Sequence, residues 1–492
     1  MIDYRIKNSL ETVIGLEVHA ELNTKSKIFC SCSTAFGGES NSKTCPVCTG
    51  QPGSLPMFND KVAEHAVKLG LALSCSINPY SKFDRKNYFY PDLPKAYQIS
   101  QLYSPICSEG KLELDAGDFK KIIGIREIHI EEDAGKLIHD TSGSRTLIDY
   151  NRAGVPLLEI VTQPDFGNAE EVIIFLERLI ETMLYLDICD CKMQEGSLRV
   201  DVNLSLKESG AELGTRTETK NLNSFKAISH AINYEAERQR EILNKGLMVE
   251  QETRRWDEEK NCSFPMRSKE NVQDYRYFPE PDLNPLVISD EWLNEIKSAI
   301  PELAQEKRNR YIAEYGLSPL IAGKICSRRN IAELFEELSK KSGEAREAAN
   351  LINGILMELI NNKNMDPFKL KIDSEKLSTL ITMLAKGKIN RSVYKETITA
   401  VFNENIDPEL YIKDRGLFIV SDNDAVNKAV DKVIKNNAEA AKDFKEGKEK
   451  VFSYLMGETI KNLGGKSDPA LIKKILLEKL NNFIPCRREA NA

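Results

Sequence analysis

Along roughly the first 295 residues, apolar and polar positions alternate with the two-residue period of strands, in short runs broken by Gly, Pro and Asn. VIGLEVHAEL is the sharpest run: Ile14, Leu16, Val18, Ala20 and Leu22 face one way, and Gly15, Glu17, His19 and Glu21 the other. RVDVNLSL divides in the same manner, with Val200, Val202, Leu204 and Leu206 opposite Arg199, Asp201, Asn203 and Ser205. A helical period interrupts the strands at EEVIIFLERLIETMLYL, which with Asn168 as cap predicts a helix over 168–186. The pattern predicts a mixed, mostly antiparallel α+β domain over 1–295.

Past the Pro-rich run FPEPDLNP (278–285) the strand signal fades and helical spacing takes over. An all-α helical domain is expected over 296–415. A small separate helical tail is expected over 416–492, built on AVNKAVDKVIKNN, AAKDFKEGKEKVFSYLMGETIKNL and ALIKKILLEKLNNF, with GGKSDP as a connecting loop.

Composition narrows the class without naming a function. The 492 residues, 41% hydrophobic and 29% charged, suit a soluble globular chain of several domains. No run approaches the ~18 apolar residues of a membrane span, and the first segment lacks a long apolar core behind basic residues, so a cytoplasmic protein is expected. The net charge of -7 argues against nucleic-acid binding through overall charge. From Gly416 onward, however, 14 Lys/Arg stand against 11 Asp/Glu, a local +3, which makes the tail the better candidate for a phosphate backbone.

Of the eleven cysteines, Cys30, Cys32, Cys45 and Cys48 form two close pairs, CSC and CPVC. Two thiolate pairs at this spacing match a closed tetrahedral Zn²⁺ site of the structural kind, and the polar segment between them could not bury free thiols as core. GESNSKT between the pairs lacks the second glycine of a phosphate loop and is rejected as one. The remaining cysteines, Cys486 among them, are read as packing.

Candidate chemistry lies on the polar strand faces. Besides Glu17, His19, Asp201 and Asn203, TRTETKNLN aligns Arg216, Glu218 and Lys220, and IREIHIEEDAGK supplies Glu131, Glu132 and Asp133. Acids beside Lys, Arg, His and Asn are what a sheet needs to hold Mg²⁺ and clamp ATP phosphates; solvated outer faces would also give this pattern. SKFDRKNYFYPDLPKAYQIS interleaves Lys82, Arg85, Lys86 and Lys95 with Phe83, Tyr88, Phe89, Tyr90 and Tyr97, a mixture suited to phosphates and stacked bases or, equally, to a Tyr-rich edge strand.

In order along the chain, ETVIGLEVHAEL, SKFDRKNYFYPDLPKAYQISQ, HIEEDAGK, NRAGVPLLEIV, KMQEGSLRVDVNLSL, TETKNLNSF, QETRRWDE and DYRYFPEPDLNPL resemble segments of the B subunits of the glutamyl/aspartyl-tRNA amidotransferases. The resemblance implies a glutamine-synthetase-like cradle with a curved antiparallel sheet. It assigns Glu17, His19 and Glu132, the last in preference to Glu131, to metal binding, with Asp201, Asn203 and Glu218 completing an ATP and Mg²⁺ site. Lys86, Tyr88 and Lys95 fall near the phosphates and acceptor end, with Lys220 as a further clamp. It implies ATP-dependent activation of the side-chain carboxylate of Glu-tRNA(Gln) or Asp-tRNA(Asn), a structural Zn²⁺ on the four cysteines, a tail against the tRNA, and a heterotrimer. No amidase nucleophile is visible, so ammonia is expected from an amidase partner, the A subunit of the family, with the small C subunit clasping the two. Two other classes compete: a tRNA-binding module without catalysis, and a free-standing ligase of glutamine-synthetase type.

Overall fold

Two-residue alternation becomes a nine-stranded sheet because each long strand offers one largely apolar face. In the computed structural model, which describes residues 10–115, 120–140, 145–266, 275–365, 372–419, 423–448, 450–463 and 469–482, its strands in chain order are β1 (Leu10–Glu21), β2 (Ser76–Ile77), β3 (Cys107–Asp115), β4 (Lys120–Glu132), β5 (Pro156–Thr162), β6 (Leu198–Glu208), β7 (Thr217–Leu222), β8 (Thr253–Asp257) and β9 (Cys262–Pro265). Their spatial order is β9-β8-β7-β6-β1-β5-β4-β3-β2. All neighbours are antiparallel except β7 and β8, which makes the sheet mixed.

Three helices, α1 (Asp60–Ala72), α2 (Ala169–Tyr185) and α3 (Phe225–Asn244), cover the apolar face. Each starts where a side chain satisfies a free backbone N–H: Asn59 accepts from the amide of Lys61, Asn168 from Glu171 and Ser224 from Ala227. Val62, Val67, Phe175, Leu176, Leu179, Ile228 and Ile232 from these helices share one core with Ile14, Leu16, Val18, Ile128, Ile130, Ile160 and Val202 of the sheet. Burial of a side chain of this size stabilises by ~1.5–3 kcal/mol. The sheet is thereby anchored from one side, and its other face is left for polar residues.

The chain divides into two units, Met1–Ala304 and Gln305–Ala492. Among described residues the second unit is helical, with a π-helical turn at Ile352–Leu356. Its last helices, Asn423–Asn436, Ala438–Lys445, Lys450–Asn462 and Pro469–Asn481, have their own core of Val426, Val430, Val433, Leu455, Ile472, Leu476 and Leu480. The helical period of AAKDFKEGKEKVFSYLMGETIKNL proves to be two helices, because Gly447 takes φ 95° and breaks the run. Cys486 and most of the GGKSDP loop lie outside the described residues. Among those described, no helix is long and apolar enough to cross a membrane.

Candidate active site

The uncovered face of the sheet collects the polar halves of five adjacent strands. Register does the collecting: Glu17 on β1 pairs with Asp201 on β6, His19 lies between Arg199 on β6 and Glu159 on β5, Glu159 pairs with His129 on β4, and Asn203 pairs with Glu218 on β7. A bulge sets Lys220 and Asn221 opposite the single Asp201, with Asn221 in a left-handed conformation at φ 67°. That bulge brings the Lys220 ammonium onto the Asp201 carboxylate and 2.8 Å from Glu218.

Two ligand clusters result. In the first, Glu17, Asp201 and Glu218 each place a carboxylate oxygen within 4.8 Å of the other two. Asn203 donates to Glu17 at 3.0 Å and Thr253 to Glu218 at 2.7 Å, so these acids are aimed rather than loose. In the second, His19, Glu131 and Glu159 converge to the same degree. Ser100 and Gln98 hold Glu131, at 2.5 and 3.1 Å.

The electrostatics of the second cluster suit a cation. Burial pulls His19 below the ordinary imidazole range, which leaves a neutral ring with a free lone pair. Burial and the carboxylates of Glu131 and Glu17 push Glu159 well above the carboxylate range. Burial also opposes ionisation of Glu131, but the Lys86 ammonium and the hydrogen bond from Ser100 hold its pKa low. A divalent ion would allow all these acids to ionise together. Asn203 adds a buried carbonyl oxygen, Oδ1, that has no hydrogen-bond partner among the described residues. The donor set is therefore that of hard-cation chemistry, with oxygen ligands predominating.

Above the face lies a cleft of about 360 Å³, lined by Glu17, Glu131, Glu159 and Asn203 together with the cations Lys86, Arg126 and Arg216. Burial works against the Lys86 charge, yet Glu131, Tyr277 and Glu159 overcome it and keep the ammonium protonated. Its Nζ lies 5.9 Å from the centre of the Tyr88 ring and 5.1 Å from that of Tyr275. Burial raises the Tyr88 phenol to about 12, so it remains a donor.

Two candidates fall elsewhere. Glu132 and Glu131 are successive strand residues and point to opposite sides. The carboxylate that converges with His19 and Glu159 is that of Glu131, whereas the resemblance favours Glu132. Glu132 instead bonds the Lys95 ammonium and accepts from the Ile99 amide at 3.0 Å. This pair lines a second cavity, of about 230 Å³, shared with Cys30 and Cys48. Glu159 is not marked by the sequence pattern, where the available signal is a single acid within the otherwise apolar strand PLLEIVT.

The cysteine cluster forms as its spacing predicts. All four Sγ atoms lie within 4.8 Å of one another, and Cys45 and Cys48 are 3.9 Å apart. A tetrahedron with Zn–S bonds of ~2.3 Å has S···S edges of ~3.8 Å, which the Cys45–Cys48 edge matches. Its knuckle turn directs the Cys45 amide at Cys48 Sγ, at 3.2 Å. A hydrogen bond from Cys30, reinforced by that amide and by Lys27, draws the Cys48 thiol down to about 4.

Comparison with known proteins agrees with this arrangement. The family model for the GatB/GatE catalytic domain matches residues 12–294, and that for the GatB domain matches 333–480. The aspartyl/glutamyl-tRNA(Asn/Gln) amidotransferase B subunit of Lachnoclostridium phytofermentans is 52% identical over 472 residues, covering 96% of this chain and 99% of that protein. The proteins of the same name from Agathobacter rectalis and Caldicellulosiruptor bescii are 52% identical over 471 residues and 51% over 477, with the same coverage. The chain belongs to the family of aspartyl/glutamyl-tRNA(Asn/Gln) amidotransferase B subunits.

Proposed function

We propose that the chain is the carboxylate-activating subunit of a cytoplasmic tRNA-dependent amidotransferase, an ATP-dependent carbon–nitrogen ligase with glutamine as amido donor. Its substrates are ATP and tRNA(Gln) carrying glutamate, tRNA(Asn) carrying aspartate, or both. The observation that carries the proposal is the pair of acidic ligand clusters on one sheet face, under a cleft whose rim supplies Lys86 and Arg216.

The side-chain carboxylate of the aminoacyl group attacks the ATP γ-phosphorus, ADP leaves, and a mixed acyl phosphate forms on the tRNA-borne amino acid. Ammonia then attacks the acyl carbon, phosphate departs, and the amide remains. Mg²⁺, held by Glu17, Asp201 and Glu218 and by His19, Glu131 and Glu159, would offset charge on the phosphates and the incoming carboxylate. The chain's own contribution is placement: Asn203 aims Glu17, Ser100 and Gln98 aim Glu131, Lys86 and Arg216 of the cleft lining meet phosphate oxygens, and Lys220, beside Asp201 and Glu218, would serve as a further clamp. The open polar face would form the floor of a glutamine-synthetase-like cradle.

Ammonia comes from an amidase partner, the A subunit, with the small C subunit completing a heterotrimer; the naming of the relatives as B subunits supports a multisubunit assembly. Residues 1–295 form the catalytic domain, 296–415 a helical domain, and 416–492 a tail whose +3 balance suits the tRNA backbone. Cys30, Cys32, Cys45 and Cys48 hold a structural zinc ion that takes no part in phosphoryl transfer.

The test is phosphate release from ATP by the reconstituted complex, with Glu-tRNA(Gln), Asp-tRNA(Asn), uncharged tRNA or free glutamate, in wild type and Glu218→Ala. Release that requires misacylated tRNA and is lost in Glu218→Ala supports the proposal. Release with free glutamate alone would point to a small-molecule ligase. Release untouched by Glu218→Ala would move the chemistry off this face.

A further inference from the structure

Lys27 is wholly buried, at 0% exposure. Its ammonium lies 3.6 Å from Cys48 Sγ and 3.3 Å from the carbonyl oxygen of Tyr150. Among the described residues it forms no ion pair with a carboxylate. The backbone fastens it in place: its amide donates to the Cys32 carbonyl at 2.9 Å, and the next amide, of Ile28, donates to Gly154 at 3.0 Å. The side chain is therefore aimed at the cysteine cage by bonds to the first cysteine pair and to the loop before β5.

A buried ammonium is costly unless a negative charge faces it, and one carbonyl dipole does not cancel a full charge. The counter-charge within reach of Lys27 is a Cys48 thiolate, which four neutral thiols would not supply. Four thiolates around a divalent ion carry a surplus of two negative charges (+2 and -4), which is equally costly to bury alone. Each feature offsets the other. An ammonium N–H directed at sulfur also withdraws electron density from the thiolate, as outer partners of metal ligands do.

We propose that Lys27 is a working part of the metal centre: it donates to Cys48 and offsets one of the two surplus charges, so that metal retention depends on it. The proposal rests on the zinc reading of the four cysteines and adds a residue that their spacing does not reveal.

The test uses the full-length chain, wild type and Lys27→Met, in equilibrium competition for zinc against a chromogenic chelator and, after cobalt substitution, in the thiolate-to-metal charge-transfer spectrum. Wild type is expected to hold one zinc per chain, and Lys27→Met to bind it about 10- to 100-fold more weakly, with a shifted charge-transfer band over a spectrum still tetrahedral in intensity. Lys27→Arg, which keeps the charge, is expected to retain most of the affinity. Equal affinity and an unshifted band in Lys27→Met would overturn the proposal. Should that variant not fold, Lys27→Gln, which keeps a donor without the charge, is judged by the same criteria. A wild-type chain without metal would overturn the zinc reading itself, and this inference with it.

Discussion

Glu131 and Glu132 are neighbours in sequence with opposite assignments, and exchanging each for glutamine separates them. Glu131→Gln removes one charge from the cluster with His19 and Glu159 while keeping the shape and the bond from Ser100. Two unit charges ~4 Å apart interact by about 4 kcal/mol at an effective dielectric of ~20. Water filling the vacated ligand position returns part of this, leaving a loss of about 2–4 kcal/mol, or roughly 30- to 1,000-fold in cation affinity. The Mg²⁺ concentration for half-maximal phosphate release should rise by that factor. Stability should change less informatively, because the variant relieves the contact with Glu159 but takes from buried Lys86 the carboxylate that keeps it protonated, so the Mg²⁺ midpoint is the readout for this variant. Glu132→Gln instead leaves Lys95 without its carboxylate, in a pair whose side chains are 13% and 6% exposed. Breaking such a pair costs about 3–5 kcal/mol, so thermal stability should fall while the Mg²⁺ midpoint stays within about threefold. The assays are a Mg²⁺ titration of phosphate release and a melting curve for each variant. A shifted Mg²⁺ requirement in Glu132→Gln with none in Glu131→Gln would refute the placement.

Three further outcomes are expected. Lys220→Met strips the cation shared by Asp201 and Glu218, and kcat/KM for ATP should fall about 10- to 100-fold, the scale of one charge-assisted contact; an unchanged value would remove Lys220 from the phosphate site. Gly50 and Gly53 both have left-handed backbones, at φ 66° and 82°, but a Cβ on Gly50 would meet Lys95 Cγ at 2.6 Å and its Cα at 3.2 Å, whereas one on Gly53 would meet nothing within 4 Å. In denaturant titrations each Ala variant should lose about 1–2 kcal/mol to backbone strain and Gly50→Ala about 1–3 kcal/mol more; equal losses would mean that the cysteine loop does not bear on Lys95. Burial draws His65 down to about 4 from 6.5, so the unfolded chain binds the extra proton between those values. The stability this neutral histidine contributes is complete above about pH 6.5 and lost as pH falls toward 4, by up to about 3 kcal/mol. His65→Leu should flatten the acid limb of the melting temperature against pH, and an unaltered limb would contradict its buried neutral state.

What can be read from the sequence follows from how local the determining physics is. Strand alternation sorts Glu17 and Asp201 onto polar faces because it depends on one strand at a time. The helix over 169–185 with its Asn168 cap and the four-cysteine cage are short-range features and equally accessible. Choosing between Glu131 and Glu132 requires knowing which side of β4 is covered by helices, a property of tertiary packing. Glu159 stays hidden because its strand is apolar on both sides, and a lone acid there has meaning only once β1 and β4 are known to flank it. Lys95 sits in an irregular loop without periodicity, so its bond to Glu132 and its packing against Gly50 depend on contacts from distant segments.

The most direct test of carboxylate activation is the fate of its oxygen. Misacylated tRNA carrying ¹⁸O in the side-chain carboxylate is turned over with ATP and glutamine by the complete complex, and the released phosphate is analysed by mass. Attack by the carboxylate on the γ-phosphorus predicts transfer of one ¹⁸O per turnover into phosphate; unlabelled phosphate formed in step with the amide would contradict it.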